Sequence, residues 1–135
     1  MIRKGTYILI LDIPGIRIRV GALGPVDLKE GCYCYVGSAM NGLDQRIGRH
    51  LSKKKKLRWH IDHLTMVSSR TEAYESVGPE VTECMLGDIV RQNGGVPAVK
   101  GFGCSDCGCG THLFFLEKEA EKRLCSAEFL KKHVR

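Results

Sequence analysis

One short apolar segment near the N-terminus constrains the fold more than any other part of this chain. Residues 5–12 read Gly-Thr-Tyr-Ile-Leu-Ile-Leu-Asp, and the turn residues Pro14 and Gly15 follow directly. A run of this length, rich in apolar and β-branched residues and closed by a turn, predicts a buried β-strand. We therefore expect a fold built on a sheet that contains this segment.

The remaining elements are expected to alternate between strands and helices. Residues 16–20 alternate apolar and basic side chains, which predicts the second arm of a hairpin with one face in solvent. Further strands are predicted at 32–36, 71–77 and 111–116, and helices at about 42–52, 58–64, 79–92 and 117–134. This order indicates an α+β fold, with a small antiparallel or mixed sheet flanked by helices. The chain of 135 residues fits one domain at 1–116, with the C-terminal helix at 117–135 packed on it.

Two of the predicted helices carry polar side chains beside an apolar stripe. In the helix at 42–52 the stripe is formed by Leu43, Ile47 and Leu51. Arg46 and His50, four residues apart, form a polar line next to it. In the helix at 79–92 the stripe is formed by Val81, Met85 and Ile89. Glu83 lies on a neighbouring line, so its side chain is expected to point toward the protein.

The excess positive charge of the chain lies in one segment. The formal net charge is +6, and residues 42–60 contain seven of the 21 lysines and arginines but one of the 15 acids, Asp44. The rest of the chain balances, with 14 basic and 14 acidic residues. Such a cluster indicates a polyanionic partner, and a solvated lysine-rich loop is the alternative. The residues expected to contact nucleic acid are Arg49, Lys53, Lys54, Lys55, Lys56 and Arg58.

Cysteines form a second candidate site. The chain has seven, and three of them precede a histidine within nine residues, which makes candidate zinc ligands of Cys104, Cys107, Cys109 and His112. The spacing is tighter than in zinc knuckles, and a glycine-rich turn with buried thiols is the alternative. Cys32 and Cys34 lie two apart on a predicted strand and are expected to be small buried apolar residues.

No segment predicts insertion into a membrane or export. The sequence has no run of 18 apolar residues, and residues 1–5 show neither an apolar leader region nor a cleavage site. We therefore expect a cytoplasmic protein with no membrane partner, in which the cysteines are mostly reduced thiols or metal ligands.

Two similar tripeptides lie on predicted strands, Gly5-Thr6-Tyr7 and Tyr35-Val36-Gly37. Arg46 and His50 on one helix, and Glu83 on another, follow them along the chain. This ordered set resembles the GIY-YIG nuclease superfamily. Longer segments resemble an archaeal and bacterial branch that is sometimes fused to DNA glycosylases of the endonuclease-three type; they lie at 35–39, 49–50, 59–62, 83–84 and 103–107. The resemblance covers about residues 5–116.

The chain departs from the family pattern at two places. Tyr7 and Tyr35 are 28 residues apart, farther than is usual, so residues 13–31 are predicted to form an inserted hairpin. Family members usually carry a polar residue, often asparagine, a dozen positions after the glutamate. That register gives Gly95 here, and Asn93 lies two residues before it.

The resemblance implies a metal-dependent endonuclease that acts on DNA rather than RNA, in repair or processing, with a repair enzyme as a candidate partner. Phosphodiester hydrolysis needs an activated water and positive charge near the phosphate oxygens. Glu83 would hold Mg²⁺ or Mn²⁺, hard cations that take oxygen ligands. Arg46 would neutralise charge on the phosphorus with its planar guanidinium.

Tyr7, Tyr35 and His50 would position the attacking water and bind the phosphate. The hypothesis is a relay in which Tyr7 acts on the water and His50 accepts its proton, while Tyr35 binds the scissile phosphate. His60 and Asp62 are expected as neighbours of the site. Two other functions fit the same residues: an inactive module that binds nucleic acid, and an interaction domain stabilised by Zn²⁺ at the cysteine cluster.

Overall fold

The computed structural model describes residues 2–103 and 110–133. Its strands are β1 (Gly5–Ile13), β2 (Ile16–Arg19), β3 (Pro25–Leu28), β4 (Gly31–Ala39), β5 (Arg70–Val77), β6 (Val96–Pro97), β7 (Leu113–Leu116) and β8 (Lys131–Lys132). Its helices are α1 (Leu43–Leu51), α2 (His60–Val67), α3 (Glu83–Gln92) and α4 (Lys118–Cys125). The predicted α+β class is confirmed.

The apolar segment at residues 5–12 forms the central strand of the main sheet. In the described part of the chain this sheet has six strands in the order β6-β7-β4-β1-β5-β8, and every recorded pairing in it is antiparallel. Strand β1 pairs with β4 along Gly5–Ile13 and with β5 along Gly5–Asp12. Both of its edges are therefore occupied.

Side-chain alternation along β1 divides the apolar core between the two faces of the sheet. Tyr7, Leu9 and Leu11 face one cluster, which α1, α2 and the β2–β3 hairpin cover. Ile8 and Ile10 face the other cluster, which α3 and α4 cover. The molecule is thus a three-layer structure with the sheet in the middle.

A hairpin lies within residues 13–31, as predicted, but its strands pair differently from the expectation. Strand β2 pairs with β3 in a separate two-stranded sheet and not with β1. The reason is that β4 and β5 already occupy both edges of β1. Ile16 and Ile18 pack against the first core cluster, while Arg17 and Arg19 point to solvent.

The prediction of one helix over 117–134 is wrong. Helix α4 ends at Cys125, and after buried Leu130 the chain forms β8, which pairs with Tyr74 and Glu75 of β5. The edge of β5 is open there and accepts backbone hydrogen bonds. Because Ala120 and Leu124 belong to the second core cluster, this C-terminal part shares its core with the sheet.

Helix α3 begins later, and buries a different face, than the sequence predicts. The Thr82 hydroxyl caps it by accepting the Met85 N–H at 3.2 Å, so Glu83 is its first residue. The buried face holds Leu86, Gly87 and Val90, whereas Met85 is exposed.

Within the described residues no helix is both long and apolar enough to cross a bilayer.

Candidate functional site

The candidate site lies at the end of β4 that β7 does not cover. Strand β7 pairs with Cys32–Tyr35 only, and a last hydrogen bond joins the Val36 N–H to the His112 carbonyl at 2.9 Å. The following residues of β4 meet side chains from both helical layers. Arg46 reaches them from α1, donating from Nη1 to the Ser38 carbonyl at 3.1 Å. Glu83 reaches them from α3, where it interacts with the Ser38 hydroxyl.

The glycine of each tripeptide is required by a close contact. Tyr7 and Gly37 are paired in the register of β1 and β4. A Cβ at position 37 would lie 2.5 Å from Cζ and Oη of Tyr7. A Cβ at position 5 would lie 2.1 Å from the Ser76 carbonyl oxygen of β5. Gly37 therefore makes room for the Tyr7 ring, and Gly5 permits β1 to pair with β5.

Tyr7 and His50 form a buried hydrogen-bonded pair. The Tyr7 hydroxyl lies 2.6 Å from His50 Nε2, and the two residues are 1% and 2% exposed. His50 is on the buried face of α1 with Leu43 and Ile47, so the helix turns it toward the sheet. In one tautomer Tyr7 donates to Nε2, and in the other Nε2–H donates to Tyr7. Nδ1 is buried without a hydrogen-bond partner among the described residues.

Burial keeps both members of this pair neutral at pH 7. It raises the pKa of the Tyr7 hydroxyl well above its usual value, although the neighbouring Arg46 guanidinium opposes that rise. Burial, together with the charge of Lys55, lowers the pKa of His50 to about 3. The free protein therefore holds an oriented, un-ionised hydroxyl at this point and not a phenolate.

Tyr35 lies beside this pair with its ring partly buried. Its edge approaches the His50 ring at a centroid distance of 6.2 Å and the Phe102 ring at 6.1 Å. Gly103, with φ +72°, passes so close that a Cβ there would lie 3.1 Å from Tyr35 Cε1. Burial raises the pKa of the Tyr35 hydroxyl, so this group is a hydrogen-bond donor at neutral pH.

Glu83 is held ionised at the same end of the sheet. Its Oε1 lies 2.8 Å from Nδ1 of His112, and its side chain is 29% exposed. Burial alone raises the pKa of the carboxyl, but His112 and the Ser38 hydroxyl outweigh that effect and lower it. Sequence reasoning missed Ser38 as a member of the site. The available signal was strand alternation, which turns the Ser38 side chain away from Gly37 toward the α3 layer.

A single hard cation fits the chemistry of Glu83. Mg²⁺ is commonly held by one or two carboxylates, with waters and substrate phosphates completing its ligands. Glu83 supplies one ionised and partly exposed carboxylate of this kind. Within residues 2–103 and 110–133, no three His, Cys, Asp or Glu side chains are grouped so as to hold a metal ion.

Three of the four predicted zinc ligands, Cys104, Cys107 and Cys109, lie outside the described residues. The fourth, His112, has its ring against Glu83. The zinc site stays a prediction. Of the two cysteines predicted to be apolar core residues, Cys34 is fully buried and Cys32 packs against the second core cluster.

His60 and Asp62 form hydrogen bonds that hold the segments around the site in place. His60 Nδ1 accepts the Gly103 N–H at 3.0 Å, which fixes the segment that packs on Tyr35. Asp62 is fully buried and accepts two hydrogen bonds from Arg49, at 2.7 and 2.8 Å. It also accepts the backbone N–H groups of Arg58 and Trp59, at 2.8 and 2.9 Å. Asp62 therefore anchors the start of α2 to α1.

The Asp62 anchor predicts a pH-dependent contribution to stability. Burial alone raises the pKa of this carboxyl, but Arg49 and the two backbone N–H groups lower it to about 2, against an ordinary value near 4. Its folded pKa is depressed, so the contribution is complete above about pH 4 and is lost as the pH falls toward 2. We expect the ionised Asp62 carboxylate to contribute about 2 kcal/mol to the free energy of unfolding.

The measurement is urea unfolding of the wild type and Asp62→Asn between pH 7 and pH 3. The gap in unfolding free energy between the two proteins should narrow as the pH falls. A gap that stays constant over this range would contradict the assigned role of Asp62.

The basic segment, residues 53–58, contains cations whose charged groups bind helix C-termini and cations whose charged groups do not. Lys53 Nζ donates to the carbonyls of Thr65 and Ser68 at the end of α2. Lys55 Nζ donates to the Arg49 and His50 carbonyls at the end of α1, at 3.1 and 3.0 Å, and to Thr65 Oγ1. Both ammonium groups satisfy helix C-termini. Of the cations predicted to contact nucleic acid, these two and Arg49 are engaged within the protein.

The side chains of Lys54, Lys56 and Arg58 are exposed, and no hydrogen bond or ion pair of their charged groups is recorded within the described residues. Within this segment, the exposed cations that are not engaged by helix C-termini, called the outward cations below, are therefore these three residues.

Comparison with known proteins identifies the family. Residues 6–135 match the model of the family described as Domain of unknown function DUF123. No curated protein matches the chain, and no solved structure matches it. Because the match spans nearly the whole chain, this protein belongs to the DUF123 family.

Proposed function

We propose that this protein is a metal-dependent endonuclease of the GIY-YIG type that hydrolyses phosphodiester bonds in DNA. The observation that carries the proposal is the convergence of Tyr7, His50, Arg46 and Glu83 on one end of β4, with Tyr7 and His50 hydrogen-bonded at 2.6 Å. These residues come from one strand, β1, and two helices, α1 and α3. A purely structural role for each would not require them to meet.

Arg46 supplies fixed positive charge for the phosphate. Its guanidinium donates to the Ser38 carbonyl and lies over the Trp59 ring at 4.5 Å, so its position is set before substrate binds. Preorganised charge of this kind stabilises the negative charge that develops on the phosphate oxygens in the transition state. Tyr35, with a neutral hydroxyl, donates a hydrogen bond to the same phosphate.

Glu83 is the residue that would hold Mg²⁺ or Mn²⁺. The bound ion supplies further positive charge next to the phosphate oxygens. His112 and Ser38 hold the Glu83 carboxylate in place and ionised. Both are positioning residues for this ligand.

Tyr7 orients the attacking water. With Tyr7 donating to His50 Nε2 and interacting with the Arg46 guanidinium, one lone pair of the Tyr7 oxygen remains to accept a hydrogen bond from water. The raised pKa of Tyr7 and the lowered pKa of His50 make the free pair a weak base. The pair therefore contributes mainly by fixing the water. As the water attacks, its proton passes to the Tyr7 oxygen, the Tyr7 proton passes to His50, and the P–O bond to the leaving strand breaks, with the leaving oxygen taking a proton from solvent.

The proposal extends to the cellular role. Outward cations on the basic segment suit a nucleic-acid substrate. The preference for DNA over RNA is what the resemblance to the GIY-YIG superfamily implies. The activity would serve DNA repair or processing in the cytoplasm, alongside a repair enzyme as partner.

The test is cleavage of labelled DNA and RNA strands in Mg²⁺, Mn²⁺ or EDTA. We expect cleavage of DNA that requires the metal and falls roughly 10²–10³-fold in Glu83→Gln. Glu80→Gln, the same change at an exposed carboxylate before α3, is the matched control and should cleave like the wild type. Cleavage that is equal in Glu83→Gln and the wild type would contradict the role of Glu83.

A second candidate function is a module that binds nucleic acid without cleaving it. The observation that favours it is the weakness of the Tyr7–His50 pair as a base in the free protein. Salt-sensitive binding of DNA with no products in either metal would support this function over the nuclease.

A further inference from the structure

Exposed apolar groups accompany the outward cations of the basic segment. Leu57 and Trp59 are among the large apolar residues that the protein leaves in solvent, and Trp59 is 37% exposed. They alternate along the chain with the outward residues Lys56 and Arg58. The segment therefore presents positive charge and apolar surface together.

Trp59 is held rigidly and close to the candidate site. Its backbone N–H donates to the buried Asp62 carboxylate at 2.9 Å. The guanidinium groups of Arg46 and Arg49 lie 4.5 and 4.3 Å from the centre of its ring. The His50 ring is 6.0 Å away, centroid to centroid. An immobilised, partly exposed indole thus borders the residues assigned to the phosphate and the water.

This combination suits a strand whose bases are unpaired. A base in a single strand offers a π-face to an aromatic side chain, while cations beside it contact the phosphates. In a duplex the faces of the bases are covered by stacking on their neighbours, so an indole at the surface gains little from them.

We propose that Trp59 stacks on an unpaired base of a single-stranded nucleic acid, whose flanking phosphates are bound by Lys54, Lys56 and Arg58. The inference deepens and rests on the proposed function, because it specifies the substrate as a strand that is unpaired next to the scissile bond. Lys53 and Lys55, whose ammonium groups are engaged with helix C-termini, take no part in it.

The single tryptophan of the chain makes stacking directly measurable. The full-length protein is titrated in EDTA with a single-stranded oligonucleotide and, separately, with the duplex of the same sequence. We expect the single strand to quench the tryptophan fluorescence and to bind more tightly than the duplex. Absence of quenching at saturation, or tighter binding of the duplex, would overturn the proposal.

Two substitutions of Trp59 separate stacking from packing. Binding of a fluorescein-labelled single strand is followed by anisotropy. Trp59→Phe retains an aromatic face and should bind nearly as well as the wild type. Trp59→Leu retains apolar volume without a π-face and should weaken binding roughly five- to a hundredfold. Equal affinities of the two variants would overturn the stacking role, provided that both melt cooperatively.

The outward lysines are tested by the salt dependence of binding. Replacing Lys54 and Lys56 by alanine should reduce the slope of log affinity against log salt by about 1.4, since each phosphate contact to a single strand contributes about 0.7. The matched control replaces two exposed lysines of α4, Lys118 and Lys122, on the other face of the sheet. An equal change of slope in the control would contradict a localised contact.

The two proposals fail in different ways. Binding in EDTA does not require cleavage. Quenching of Trp59 fluorescence together with an absence of cleavage products in Mg²⁺ would support the single-strand binding surface and contradict the nuclease proposal. Cleavage in Mg²⁺ without quenching of Trp59 fluorescence would support the nuclease proposal and contradict the single-strand binding surface.

Discussion

Tyr7→Phe is expected to lower the rate of DNA cleavage by roughly 10²–10⁴-fold while the protein stays folded. The substitution removes only the hydroxyl that contacts His50, and the ring keeps its place over Gly37. Water bound at the site then loses the acceptor that orients it. The measurement is the single-turnover rate with saturating protein, which separates the chemical step from substrate affinity.

His50 variants test whether the pair acts as a unit. His50→Ala should reduce the rate over a similar range, and the double variant with Tyr7→Phe should be no slower than the slower single variant. His50→Gln keeps a side chain that accepts a hydrogen bond, so it should retain more activity than His50→Ala. Full activity in Tyr7→Phe and His50→Ala would reject the relay.

Gly37→Ala is expected to damage stability and activity together. The new Cβ would lie 2.5 Å from Cζ and Oη of Tyr7, a ring that is almost fully buried. Overpacking of this kind costs about 1–3 kcal/mol of unfolding free energy. The displaced Tyr7 hydroxyl also loses its hydrogen bond to His50, so cleavage should fall to the level of Tyr7→Phe.

Gly48→Ala provides the matched control. Gly48 lies inside α1, and a Cβ there meets no atom within 4 Å. The same substitution should therefore raise the unfolding free energy by about 0.4–1 kcal/mol, because alanine restricts the unfolded chain. Both values come from urea unfolding followed by circular dichroism. Equal effects at the two positions would contradict the packing of Tyr7 on Gly37.

Strong local patterns predicted the central part of the fold. The apolar run of β1 specified a strand because burial on both faces of a sheet needs such residues. The pairings of the strands, by contrast, depend on contacts far apart in the chain. Strand β2 has the pattern of a hairpin arm, but its partner is β3, because β4 and β5 occupy both edges of β1.

The end of a helix or strand could be predicted only where no competing cap or long-range contact overrides the local sequence signal. Pro79 suits the first turn of a helix, yet α3 begins at Glu83 because the Thr82 hydroxyl caps it. The C-terminal helix was extended too far because β8 is stabilised by pairing with β5, a contact that leaves no mark on the segment's own sequence.

Part of the candidate site could likewise be predicted from the sequence, and part could not. The pairing of Tyr7 with His50 followed from a family pattern that fixes the order of the residues. The family pattern did not predict the contacts that Glu83 makes with Ser38 and His112. These contacts depend on where α3 begins relative to β4. The lysine run looked uniform in sequence, but helix C-termini engage Lys53 and Lys55 and leave Lys54 and Lys56 outside.

Nicking of a supercoiled plasmid tests directly whether the site around Glu83 is a nuclease centre. Wild type and Glu83→Gln are incubated with the plasmid in Mg²⁺, and the relaxed and linear forms are measured over time. We expect the wild type to nick the plasmid at transiently unpaired regions, and Glu83→Gln to leave it supercoiled. A plasmid that stays supercoiled with folded wild type, or that is nicked equally by both proteins, would contradict the assignment of this site as a nuclease centre.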